Sequence, residues 1–294
     1  KVKRKICLII VPSLIGMKFS LFTDNGPLNS PLVWEAVKSG LIRQGHEVDE
    51  NNLETDIPVI WSLLWNGRML KNKSIWNTFR QKDKKVLVIE VGGIKRNITW
   101  KVAINGINRT GDFGPLNNND SRVKQFELSL RPWRTKGEHI LLCLQHDKSE
   151  QWASMPPLDK YTKDTVAKVR QYTDRKIIVR PHPRCPLKNM PVLDNVGYEI
   201  PRQIKNTYDD FDLNFANAWA VISHSSNPGI HAVLNGIPAF VSEQSLAYDV
   251  GNSDFSTINS PKTPDRQQWL NDYAHTEWTI EEIAQGVPFS RLTF

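Results

Sequence analysis

The sequence predicts an α/β protein built as two doubly wound domains, on three observations. Short β-branched runs alternate with segments of helical spacing along most of the 294 residues, the pattern of βα units on a mainly parallel sheet. Two of the clearest runs, near residues 180 and 223, open straight into polar loops with histidine and small hydroxyls, where an open α/β sheet places its ligand crevice. The length also suffices for two domains of ordinary size, each burying its own core.

Taken in order, Ile6-Cys-Leu-Ile-Ile-Val11 reads as a first buried strand ended by Pro12-Ser13. The basic Lys1-Val-Lys-Arg-Lys5 leads directly into it, so no cleavable leader is expected. A polar loop at 22–27 precedes a helix over 31–44, with Leu32, Val33, Val37 and Leu41 at helical spacing. Strands follow at 46–49 and 57–64, a short helix at 74–82, and a central strand at 85–91 closed by Gly92-Gly93. Residues 105–137, rich in Asn, Gly, Pro and Arg, read as loop and interdomain connection. The second unit runs through a strand at 139–145, a helix at 159–173, a strand at 176–180, a strand or hairpin around 196–201, a strand at 219–223, a helix from 229 and a strand at 238–242. Helical patterns return at 265–274 and 279–284, where Thr279 and Glu282 have capping-box spacing. The expected boundaries are 1–135, 136–270 and a tail at 271–294.

A hydrophobic fraction of 39% with ten tryptophans excludes a disordered chain. No apolar run approaches the ~18 residues of a membrane span, so a soluble, cytoplasmic protein is expected. Cys7, Cys143 and Cys185 make neither a disulfide framework nor a metal-type pair, and no metal is expected. The net charge of +7 is modest, but basic residues interleave with aromatics in three segments of the first half, at 65–73, 94–101 and 131–136. Such segments suit phosphate neutralisation with stacking on bases or sugars, and equally a solvated basic face.

Chemistry concentrates in Lys176-Ile-Ile-Val-Arg-Pro-His-Pro-Arg184 and Ala220-Val-Ile-Ser-His-Ser-Ser-Asn-Pro-Gly229. Side by side these loops make an anion site from Arg180, His182, Arg184, Ser225, Ser226 and the backbone of Asn227 to Gly229, where a helix N-terminus adds free amides. Gln145 and Ser149, in the loop after the first strand of the second unit, are candidates for nucleotide or sugar contact. Glu243 is a candidate to receive ribose hydroxyls. For proton transfer, Glu90 ends an otherwise apolar strand and so should sit partly desolvated at the cleft. Asp24 and Asp112 are its rivals, and an ion pair with Lys95 or Arg96 is the plain structural alternative.

The two motifs resemble the His-Pro and Ser-Ser motifs of glycosyltransferases of the GT-B architecture, notably the capsule Kdo transferases and bacterial sialyltransferases. The resemblance covers residues 138–245 and implies that His182, Ser225 and Ser226 hold the nucleotide phosphate of a sugar donor. It also implies two Rossmann-like domains facing across a cleft and a C-terminal helix that crosses back to the first. One departure stands out: His231 occupies a position where those families often carry glutamate. The segment Val88-Ile-Glu-Val-Gly-Gly-Ile-Lys-Arg96 resembles the acidic strand end of the Kdo transferases, and the T-even phage DNA glucosyltransferases also place an acid after a central strand of their first domain. The expectation is therefore a metal-independent glycosyltransferase using a UDP- or CMP-linked sugar. Its expected acceptor is a hydroxymethylated base in DNA, met by Lys95, Arg96, Trp100, Lys101 and Arg109, in a host cytoplasm if the chain is phage-encoded. A capsule or lipopolysaccharide glycan is the competing acceptor. A non-catalytic nucleotide- or nucleic-acid-binding module on the same fold is the third reading.

Overall fold

The computed structural model describes residues 16–202 and 211–294. The strand expected at 6–11 lies outside them. In the first domain β1 (Lys18–Leu21), β2 (Glu47–Glu50), β3 (Ile57–Trp61) and β4 (Leu87–Val91) run parallel. Two further strands, β5 (Thr99–Ile104) and β11 (Glu277–Thr279), extend the sheet antiparallel, giving the order β11-β5-β4-β3-β1-β2. The helix α1 (Pro31–Arg43) packs Val33, Val37 and Leu41 on one face, and α2 (Asn72–Arg80) packs Ile75, Trp76 and Phe79 on the other. Their apolar residues recur at three- and four-residue spacing, so each helix buries one stripe.

After the short α3 (Ser121–Gln125), the second domain is a five-stranded parallel sheet in the order β10-β9-β6-β7-β8. Its strands are β6 (His139–Cys143), β7 (Lys176–Arg180), β8 (Val196–Tyr198), β9 (Ala218–Ser223) and β10 (Ala239–Val241). The helix α4 (Leu158–Arg170) covers one face, while α5 (Asn227–Leu234) and α6 (Gln267–Ala274) cover the other. Both faces of β6 and β9 are buried, which is why they read as continuous apolar runs.

The architecture is the GT-B arrangement expected, with three adjustments. The stretch 99–104, read partly as a basic segment, is a fully buried strand. Val123, Leu128, Leu130 and Trp133 pack on the second domain's core, so its packing begins ahead of residue 136. The tail does not return as one helix: α6 stays with the second core through Leu270, Tyr273 and Ala274, and the crossing is made by β11 followed by α7 (Ile280–Ala284). Trp278, Ile283, Phe289 and Leu292 from this return lie in the first core. At Gly40 the backbone of α7 comes so near α1 that any Cβ would collide with the Ile283 carbonyl oxygen. Thr279 and Glu282 form the capping box that starts α7. Among the described residues no helix is long and apolar enough to cross a membrane.

Candidate active site

In the second sheet the strand order reverses at β6, which lies between β7 and β9. The crevice beyond the carboxyl ends of such strands is where doubly wound sheets hold ligands. The loops after β6 and β9 meet there. Gln145 accepts hydrogen bonds from the amide of Ser225 (3.2 Å) and from its hydroxyl (2.9 Å), and donates to Ser149 Oγ (2.8 Å). Ser225 is almost fully buried, so it braces the crevice floor. Ser226, half-buried at the start of α5, shares a hydroxyl contact of 2.9 Å with Ser223. No side chain caps α5, and Pro228 occupies its first turn, so no side-chain cap competes for the Asn227 amide, while the Gly229 amide donates to the Ser226 carbonyl at 3.2 Å.

The loop after β7 fixes His182, whose Nδ1 accepts the Arg184 amide at 3.0 Å, placing the proton of the neutral ring on Nε2. Its ring lies 5.4 Å from His146 and 5.7 Å from Phe211. Arg96, from the first domain, stacks 3.8 Å over Phe211, and the exposed Arg184 approaches the same ring at 5.6 Å. Arg96 therefore joins the expected donor loop rather than an acceptor face. Arg180 differs from expectation: it is buried, ion-paired to Glu199 and bonded to the Asp212 carbonyl (2.8 Å), so its charge is already engaged inside the domain. Glu243 is exposed in the turn after β10. His146, Asp147 and Cys185 gather ligand-type atoms within 4.8 Å of one another. The amide of Lys148 occupies His146 Nδ1 at 3.1 Å, Lys148 Nζ lies 3.7 Å from Asp147, and burial pushes the Cys185 thiol up, so the trio is better suited to internal hydrogen bonding than to a cation.

The first domain contributes Glu90. Its Oε2 accepts a hydrogen bond from Ser62, and its Oε1 accepts the Val91 amide at 2.7 Å. Although the side chain reaches the surface in part, burial pushes its carboxyl above the ordinary carboxylate range, opposed by the two hydrogen bonds and by the charges of Lys101 and Arg96. Antiparallel register sets Glu90 opposite Lys101 and Lys101 opposite Glu277, a charged row across β4, β5 and β11. Glu277 is fully buried and accepts from the amides of Gly93 (2.7 Å) and Ile94 (2.9 Å), the Thr99 hydroxyl (2.7 Å) and the Tyr273 hydroxyl (3.4 Å). Burial lowers the Lys101 ammonium's proton affinity, and the two glutamates restore part of it. His231 on α5, also lowered by burial, feels Glu277 and Lys101 from across the cleft. Gly93 touches α5 as well, since a Cβ there would stand 2.8 Å from Asn227 Nδ2.

Two acceptor expectations are corrected here. Trp100 and Lys101 are buried within the first sheet and present no surface for stacking or phosphate contact. Arg109 is exposed but reaches the second domain, pairing with Asp249 at 2.9 Å, and Lys95 is half-buried in the turn after β4. The rival acids also stand apart from Glu90. Asp24 is exposed two strands away, after β1, and Asp112 bridges Ile104, three residues along β5 from Lys101, while capping its own turn at Gly114 (2.8 Å). Sequence reading missed Ser62 and Glu277. Ser62 acts through a left-handed backbone (φ 62°), which a serine does not advertise, and Glu277 reads as one more acid ahead of a helix.

The segment after β3 ties the two sides together. Leu64 bridges Ser149, the Trp65 amide donates to the Lys148 carbonyl (2.9 Å), and the Glu150 amide donates to the Leu63 carbonyl (2.9 Å). Trp65 Nε1 adds a bond to Glu150 at 2.7 Å.

Among solved structures the chain is similar to Thermosulfurimonas dismutans KpsC, beta Kdo 2,4 transferase, with 14% identity and a TM-score of 0.52 over 92% of this chain and 98% of that one. It is also similar to Thermosulfurimonas dismutans KpsC, beta Kdo 2,7 transferase, with 14% identity and a TM-score of 0.49 over 94% and 100%. The first likeness establishes a shared fold over nearly the whole length of both chains. No protein-family model matches, and no curated protein is significantly similar in sequence.

Proposed function

We propose that this chain is a glycosyltransferase that moves a sugar from a nucleotide-sugar donor to a hydroxyl acceptor. The observation that carries the reading is the pairing of two edges: hydroxyl, imidazole and helix-amide groups converge at the switch point of the second sheet, and a half-buried carboxylate faces the cleft from the first. In this mechanism His182, Ser226, Arg184 and the first amides of α5 meet the charge that develops on the departing phosphate. Gln145, Ser149 and Ser225 brace the floor, and Glu243 receives hydroxyls of the nucleotide ribose. Glu90 accepts the proton of the acceptor oxygen as that oxygen attacks the anomeric carbon and the phosphate leaves from the opposite side. The donor is a UDP- or CMP-linked sugar.

A glycan hydroxyl suits the acceptor side better than a base in DNA. Trp100 and Lys101 are buried, Arg109 is paired and Arg96 stacks on Phe211, so the side chains expected to meet a duplex do not form a shared basic face. The name of the KpsC neighbour, a Kdo transferase, points the same way. The test is mass spectrometry of short anionic glycans and of hydroxymethylated DNA after incubation with UDP-, GDP- and CMP-sugars. A glycan heavier by one sugar, with release of UDP or CMP, is expected. A modified DNA strand would reinstate the base acceptor, and unmodified acceptors with intact donors throughout would leave a binding module.

A further inference from the structure

We propose that Ser62 is a positioning residue for Glu90: its hydroxyl, aimed by a left-handed turn at the end of β3, fixes the carboxylate towards the cleft and favours its proton-accepting form. The inference rests on the reading of Glu90 as base.

Three independent features converge on Ser62. Its backbone sits at φ 62°, a region that side-chain-bearing residues other than Asn and Asp seldom occupy and that persists where the surroundings over-determine it. The surroundings do so here: the Ser62 amide donates to the Ile89 carbonyl at 2.7 Å, in the strand that carries Glu90, and Ser62 is almost fully buried. The hydroxyl is also engaged on both sides, accepting the Leu64 amide at 3.1 Å while donating its single proton to Glu90 Oε2. A hydroxyl that already accepts a backbone N–H has its own proton directed to the carboxylate, which is the polarity that stabilises the anion.

The charged groups facing Glu90 set what this bond has to do. Lys101 faces it from β5 and Arg96 from the turn after β4, while Glu277 on β11 acts on Lys101 rather than on Glu90 directly, and His231 on α5, lowered by burial, is lowered further by Lys101. Both cations favour the carboxylate and burial opposes it, and among the described residues Ser62 adds a neutral, directional side-chain contact. The position is also tied to the donor loop, because Leu64, held by the Ser62 hydroxyl, bridges Ser149. An orienting group for the base thus hangs from the same strand segment that touches the nucleotide side of the cleft.

The experiment is a carboxyl ¹³C NMR titration of the full chain labelled at glutamate, with the Glu90 resonance assigned by its loss in Glu90→Gln. Ser62→Ala removes the hydroxyl, and Ser62→Gly removes it while accommodating the positive φ, so the glycine variant folds even if the alanine variant does not. Each is expected to move the Glu90 midpoint up by about one pH unit, the scale of one lost hydrogen bond to a charged group. CMP and UDP affinity, read by calorimetry, should stay within about twofold, and the acid limb of turnover should move up with the midpoint. An unchanged Glu90 midpoint in Ser62→Gly would overturn the proposal. A shifted midpoint combined with parental turnover in Glu90→Gln would instead remove Glu90 as base, leaving Ser62 as a group that tunes a non-catalytic acid.

Discussion

The two sheets handle charge in opposite ways. In the second, β6 and β9 are apolar on both faces, and most of the polar groups with a proposed role appear after the strands end, in loops gathered at the switch point. In the first, Glu90, Lys101 and Glu277 sit inside strands and face one another across three of them. Topology accounts for the contrast. A parallel sheet sandwiched between helices buries little charge along its length, Arg180 at the very end of β7 being paired with Glu199, so most chemistry is pushed to its edge. Antiparallel additions bring residues into direct opposition, and an acid can then be matched by a base one strand away.

The comparison breaks most sharply at Glu90. Glu90→Gln keeps size and hydrogen bonding but cannot take a proton, so turnover should fall ~10²–10⁴-fold with donor affinity nearly unchanged. Parental turnover, with a collapse in Asp24→Asn or Asp112→Asn, would move the base to that aspartate. The same carboxyl gives the pH dependence. Since burial raises it and the working form is the anion, turnover should be lost as pH falls through a midpoint above the ordinary carboxylate range. An acid limb at or below that range would contradict the burial argument.

Next in size is the buried row itself. Lys101→Met should destabilise the fold by about 1–3 kcal/mol in urea unfolding, because the two carboxylates lose a neighbouring positive charge and the Ile107 carbonyl loses the ammonium that donates to it at 3.4 Å. Lys160→Met, whose partner Asp164 is exposed at 2.8 Å, should cost about 0.5 kcal/mol or less. Equal losses in the two variants would erase the distinction between row and surface.

The second sheet is probed by His182→Ala and by Ser225→Ala with Ser226→Ala. Each should weaken CMP or UDP binding by ten- to hundredfold, about 1.5–3 kcal/mol, with cooperative unfolding retained. Calorimetry giving parental affinity in both would detach these loops from the donor. A modest effect belongs to the return of the chain, where Thr279→Ala removes the cap of α7 and should cost ~1 kcal/mol. A loss of several kcal/mol there would mean that β11 depends on the cap for its pairing.

The same contrast decides what could be read from sequence. Strand 176–180 was legible to the residue, and 219–223 within one, because a buried parallel strand ending in Pro-His-Pro or His-Ser-Ser has an apolar body and a polar stop. Strand β5 was not, since Trp100-Lys101 resembles a basic, aromatic surface segment until Glu90 and Glu277 are seen opposite the lysine. Arg180 failed for the converse reason: it ends a strand beside the motif, but Glu199, nineteen residues on, claims it. Ser62 left no trace, because its role comes from backbone geometry and not from residue type.

The return strand β11 has a consequence for biosynthesis. β5 has an open edge until residues 277–279 arrive, and Thr99, Gly93 and Ile94 await the Glu277 carboxylate. The second domain lies wholly between the two halves of this partnership, so a ribosome finishes it while the first sheet is still one strand short. The domain made first is thus the one completed last. A released chain ending shortly before residue 277 should expose the β5 edge to chaperones or to a neighbouring copy, even with its second domain already closed.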